Sequence, residues 1–162
     1  MPKLIERVRA AAFDLDGTLV DSAPDIADAA NAMLKGLGHP LLAERRITAM
    51  IGGGVDRLIE RALAESTGAA PRAAALRTAG DAFRRHYAAQ LFQRSRVYPG
   101  VVEGLETLGR SGLRLCCVTN KAGLFALPLL DAAGLSRFFS FVLSADSPEN
   151  RKPDPALLLE TC

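Results

Sequence analysis

The stretch VRAAAFDLD, residues 8–16, is short and apolar, with neither a helical nor an alternating period, until it meets two carboxylates, Asp14 and Asp16. A run of this kind suits a strand covered on both faces, the environment of a parallel sheet. Parallel strands need crossover connections, usually helical, so this one segment already asks for an α/β chain. Gly17 and Thr18 follow at once, and glycine there permits a sharp turn and close backbone approach. Two like charges at the end of an apolar run are costly unless something elsewhere in the chain compensates them.

The rest of the chain supplies the crossovers. LRLCCVTN (113–120) and FFSFVLSA (138–145) read as strands; VVEGLETLGRSG (101–112) and LFALPLLDAAG (124–134) read as helices, the second with a kink site at Pro128. Between the first strand and this alternation the chain is Ala-rich and helical. PDIADAANAMLKGLG (24–38), AERRITAMI (43–51), VDRLIERALAEST (55–67) and RAAALRTAGDAFRRHYAAQLFQ (72–93) each carry a helical pattern, and Gly52, Gly53 and Gly54 stop the second of them. The expectation is therefore a doubly wound parallel α/β sheet formed by residues 1–21 and 97–162, interrupted by an all-helical insert over 22–96. At the far end KPDPALLLETC (152–162) starts a helix with Asp154 as N-cap and Pro155 as first residue. No strand follows it in these 162 residues, so the sheet reads as incomplete at its C-terminus.

The formal net charge of +2 is small and dispersed, which argues against nucleic acid and membrane partners. Charges break every apolar run in MPKLIERVRA, so it does not read as a secretory leader, and a cytoplasmic protein is expected. Cys116 and Cys117 are adjacent in a strand and point to opposite faces, so both are expected reduced, with Cys162 the third thiol. His39 and His86 show no metal-ligand spacing.

Ligand sites in open α/β sheets lie beyond the carboxyl ends of the strands. Asp14 and Asp16 stand at one such end and Thr119-Asn120 at another, so two distant segments meet at one crevice, where the Gly17 and Thr18 amides could face an anion. Two carboxylates, a hydroxyl and a lysine suit phosphoryl transfer through an aspartyl phosphate. One carboxylate attacks phosphorus while the other protonates the leaving oxygen and then activates water. Mg²⁺, which favours a few carboxylates plus phosphate oxygens, would let an anionic nucleophile meet an anionic substrate. Thr119 can bond a phosphoryl oxygen, and Lys152 can stand as a point cation beside Asp14.

These stretches resemble a known family. FDLDGTLVDS resembles the first signature of the haloacid dehalogenase-like phosphatases, CVTNK the second with Thr119, and RKPDP the third with Lys152. The insert matches the helical cap of that superfamily, built on a Rossmann-like core, and within it the wording is most similar to the subgroup that hydrolyses 2-phosphoglycolate. The resemblance implies that Asp14 is nucleophile and Mg²⁺ ligand, and that Asp16 is general acid/base with its backbone carbonyl a second metal ligand. It further implies that Thr119, Asn120 and Lys152 hold the phosphoryl group and that Gly52–Gly54 face the substrate from the cap. The partner is then a small phosphorylated metabolite and the protein a monomer or homodimer. A fourth, Gly-Asp-containing signature with another metal carboxylate is expected after the Asp154 helix and is absent from the sequence; Asp146 is a candidate replacement. Two other readings stay open: an inactive truncated fragment serving as an interaction module, and a sugar-phosphate mutase of the same superfamily.

Overall fold

Parallel pairing is what the apolar runs produce. The computed structural model describes residues 8–146 and 151–160, so Cys162 lies outside the described residues. Its strands are β1 (Ala10–Phe13), β2 (Val20–Asp21), β3 (Arg96–Val97), β4 (Arg114–Thr119) and β5 (Phe141–Ser144). Its helices are α1 (Ala23–Gly36), α2 (Glu44–Thr48), α3 (Val55–Thr67), α4 (Ala73–Ala89), α5 (Val101–Arg110), α6 (Gly123–Ala132) and α7 (Ala156–Leu159). The chain divides into two compact units, residues 1–20 with 97–162, and residues 21–96.

In the first unit β1, β4 and β5 form one parallel sheet in the order β1–β4–β5, with Phe13 opposite Cys117 and Thr119 opposite Ser144. β4 is central and its residues Leu115–Thr119 are buried; Phe125, Ala126, Leu129 and Leu130 of α6 and Leu105 of α5 supply buried apolar cover. Pro128 sits inside α6, where it removes one backbone donor from the helical ladder.

The first strand departs from expectation. Its ladder stops at Phe13 rather than running to Asp16, and its residues alternate between exposed and half-buried instead of being covered on both faces. The reason is its place in the sheet: among the described residues β1 pairs with β4 alone, so one edge has no neighbouring strand. The Phe13 ring rests against Phe139 at a centroid distance of 6.3 Å. Two other elements are shorter than their patterns. A 3₁₀ turn over Ser136–Phe138 delays β5 until Phe141. α7 begins at Ala156 with Pro155 at the cap position, while the Asp154 carboxylate accepts the Ala156 N–H at 2.8 Å.

The second unit is helical throughout its interior. α1 takes Pro24 in its first turn and buries Ile26, Ala27, Ala29, Ala30, Met33 and Leu34, and it packs on α4 and α2, while α3 packs on α4. Alanines are part of this interior: Ala29, Ala30, Ala62 and Ala79 are wholly inaccessible. Larger side chains fill between them, with Phe83 stacked on Tyr87 at 5.7 Å. One buried group is ionic. Asp25, 1% exposed, accepts the Arg94 N–H at 2.7 Å, the Ser95 N–H at 3.0 Å and the Ser95 hydroxyl at 2.5 Å, joining the first turn of α1 to the segment after α4.

Candidate active site

Asp14 and Asp16 leave the sheet on either side of Leu15, whose side chain is fully buried. The Leu15 carbonyl then accepts the N–H groups of Thr18, Leu19 and Val20 at 3.3, 3.0 and 3.1 Å, and the Gly17 N–H donates to the Val20 carbonyl at 2.9 Å. This turn needs Gly17 at φ 80°. It also corrects one expectation: the Gly17 and Thr18 amides are consumed inside the turn and do not face an anion. What the turn does is hold two carboxylates at fixed places beyond the end of β1.

Each carboxylate has its own lysine. Lys152 places Nζ 2.8 Å from Asp14 Oδ1 and donates to the Val118 carbonyl at 2.8 Å, next to β1 in the sheet. Lys121 places Nζ 3.0 and 3.3 Å from the two oxygens of Asp16, and this second pair is far more enclosed, with side chains 4% and 16% exposed. The charge compensation that the sequence demanded of Lys152 is thus shared by two cations. Sequence reasoning passed over Lys121, although it directly follows Thr119 and Asn120 in the loop after β4. The signal available was its position in that loop.

Thr119 is 1% exposed, and its hydroxyl oxygen accepts the Lys121 N–H at 3.1 Å, leaving the hydroxyl proton to give. Asn120 has a different occupation from the one expected of it. Its side-chain amide donates to the Lys152 carbonyl at 3.0 Å and its oxygen accepts the Lys152 N–H at 2.7 Å. This two-point clasp brings a residue 32 positions later into the site. Asp14, Asp16, Thr119, Asn120 and Lys152 are therefore gathered in one place, with Lys121 added.

Residues 8–162 match the haloacid dehalogenase-like hydrolase family. The chain belongs to that family. It is 47% identical to a phosphoglycolate phosphatase of Nitrosospira multiformis over 96% of this chain and 68% of that protein. A phosphoglycolate phosphatase of Thiobacillus denitrificans is 42% identical with the same coverage. Among solved structures, a predicted phosphoglycolate phosphatase from Haemophilus somnus superposes with TM-score 0.89 at 35% identity, covering 96% of this chain and 70% of that one. By family this haloacid dehalogenase-like hydrolase is a phosphatase, and its α/β core with a parallel sheet is the fold of its structural relatives.

Of the other expected contributors, Gly52–Gly54 belong to the second unit and Asp146 is engaged within the first. The glycines lie in the loop between α2 and α3, where Gly52 at φ 114° and Gly54 at φ 86° occupy conformations that favour glycine and Gly54 caps α3. Asp146 does not offer its carboxylate to the Asp14–Asp16 pair: Oδ1 accepts the Gly123 N–H at the start of α6, and Oδ2 accepts the Ser144 hydroxyl, each at 2.8 Å. Among the described residues no group of three or more His, Cys, Asp or Glu gathers into a metal cage. A carboxylate pair still suits Mg²⁺, which takes one or two carboxylates and fills its shell with water and phosphate oxygens. Cys116 and Cys117 are both buried and free. The Cys117 thiol is pushed up to about 12 by burial and then by the nearby Asp14 charge, so it is no nucleophile here. No helix among the described residues is long and apolar enough to cross a membrane.

Proposed function

We propose that this phosphatase hydrolyses a small phosphorylated metabolite, 2-phosphoglycolate, to glycolate and inorganic phosphate through an aspartyl phosphate on Asp14. The observation that supports it best is the lysine-matched carboxylate pair beside the buried Thr119 hydroxyl, at the end of adjacent parallel strands. The names of the relatives supply the substrate.

In this reading Asp14 Oδ attacks phosphorus and the bond from phosphorus to the ester oxygen breaks. Asp16 gives its proton to that oxygen, so glycolate leaves neutral at the new hydroxyl. Asp16 then takes a proton from water, the water oxygen attacks phosphorus, and the bond to Asp14 breaks to release phosphate and restore the carboxylate. The Thr119 hydroxyl donates to a phosphoryl oxygen. Lys152, oriented by Asn120, adds a point charge beside the nucleophile and the phosphoryl group. Asp14 and the Asp16 carbonyl would hold Mg²⁺, the usual metal of this family, which when bound offsets the repulsion between carboxylate and phosphate. Residues 22–96 are read as the helical cap of the family, the element that would select the organic part of the substrate.

The test is phosphate release from 2-phosphoglycolate with Mg²⁺. Release by the wild type together with its loss in Asp14→Asn is the expected result. Turnover retained in Asp14→Asn, or none in the wild type, overturns the reading.

A further inference from the structure

We infer that Lys121 is a positioning residue that aims the Asp16 carboxylate at the leaving-group oxygen; the inference rests on the phosphatase reading above. Its ammonium contacts both oxygens of Asp16, at 3.0 and 3.3 Å, and a two-point contact restricts rotation of the carboxylate where a single bond would not. Lys121 is itself fixed at its root, because its N–H is held by Thr119 Oγ1 at 3.1 Å and the residue is only 7% exposed. The two cations do separate jobs: Lys152 reaches Asp14 and the Val118 carbonyl, so it is not a substitute on Asp16.

A buried Lys–Asp pair is a poor device for stability alone, since desolvation offsets much of its attraction. It is a good device for holding a carboxylate in one direction. A general acid must lie within hydrogen-bond reach of the atom it protonates, so aim governs its contribution. Asp16 stands beyond the Ala10–Phe13 ladder, and the two-point contact with Lys121 limits how its side chain can turn.

Leaving groups separate this role from phosphate binding. An alkoxide such as that of 2-phosphoglycolate needs the proton, whereas 4-nitrophenolate leaves without it. The ratio kcat/KM covers steps up to formation of the aspartyl phosphate, so it isolates the acid step from the later attack by water. For Lys121→Met, kcat/KM on 2-phosphoglycolate is expected to fall about tenfold or more, and on 4-nitrophenyl phosphate less than about threefold. Lys121→Arg, which keeps the charge and two donors, is expected to recover most of the loss. Lys121→Gln, which keeps a donor in a similar volume, is measured beside them, with near-ultraviolet circular dichroism confirming the fold, so that collapse of the Met variant does not decide the matter. Equal losses on the two substrates, or no loss, in variants that fold would refute the positioning role while leaving the phosphatase reading intact. A wild type that releases phosphate from neither compound sinks both.

Discussion

Removing the Asp25 carboxylate is expected to be among the most damaging single changes in the helical unit. Asp25 is 1% exposed and satisfies the Arg94 N–H, the Ser95 N–H and the Ser95 hydroxyl. Asp25→Ala leaves two backbone donors without their acceptor, at about 1–3 kcal/mol each, while the serine hydroxyl can turn to another partner. The expected loss is about 3–5 kcal/mol, which for a chain of this size lowers Tm by roughly 10 °C. Asp28 offers an internal control on the same helix: it pairs with Arg94 Nη1 at 2.8 Å, but the two side chains are 41% and 49% exposed. Asp28→Ala should therefore cost less than about 1 kcal/mol. The protein has no tryptophan and two tyrosines, of which Tyr87 is buried in the same unit as Asp25. Urea unfolding followed by near-ultraviolet circular dichroism reads that ring directly. An Asp25→Ala midpoint within about 1 kcal/mol of wild type, or no lower than that of Asp28→Ala, would refute the reasoning.

Three further outcomes are expected. A Cβ at Gly123 would lie 2.9 Å from Ser144 Oγ and 3.2 Å from Asp146 Oδ2, so Gly123→Ala must open the clasp at the start of α6. Gly123→Ala and Asp146→Ala should each cost about 1–2 kcal/mol in urea unfolding, and the double variant less than their sum because both break the same contact. The buried Cys117 thiol holds its proton in the folded chain up to about 12, against 9.0 for the ordinary thiol. Its contribution to stability is therefore complete below pH 9.0 and is lost as pH rises from there toward 12; unfolding midpoints should fall through that window, and less steeply in Cys117→Ala. Lys152→Met should lower kcat/KM for phosphate release at least about tenfold while moving the urea midpoint by less than about 1 kcal/mol, since the ion pair is half-exposed.

Much of the architecture was legible because local pattern and tertiary role agree. α3 begins and ends where VDRLIERALAEST does, since its apolar period, its leading Gly54 and its trailing Gly68 all say the same thing. β1 was misjudged because an apolar run reports what a residue tolerates, not how many neighbours the sheet supplies. The carboxylate pair was legible because Asp14 and Asp16 directly follow an apolar strand, at the carboxyl end where ligand sites of open α/β sheets lie. Its counterions were only half legible. Lys152 was found through its motif, while Lys121 looked like an ordinary loop lysine, and nothing in CVTNK states that its ammonium turns inward to Asp16. Asp25 escaped for a related reason: an acidic residue in a first helical turn needs no other explanation, and its partners lie 69 and 70 residues away.

The alanines of the helical unit set its evolutionary latitude. Ala29, Ala30, Ala62 and Ala79 have no exposed surface, so a larger side chain at any of them must find its room inside the packed interior. Truncation elsewhere in a core leaves a hole that some later substitution can fill. Enlargement here overpacks the interior, at about 1–3 kcal/mol per site, unless one of the larger buried side chains of the unit shrinks at the same time. Drift in this unit is thus confined to its outer faces, and its interior is free to change only by several substitutions at once.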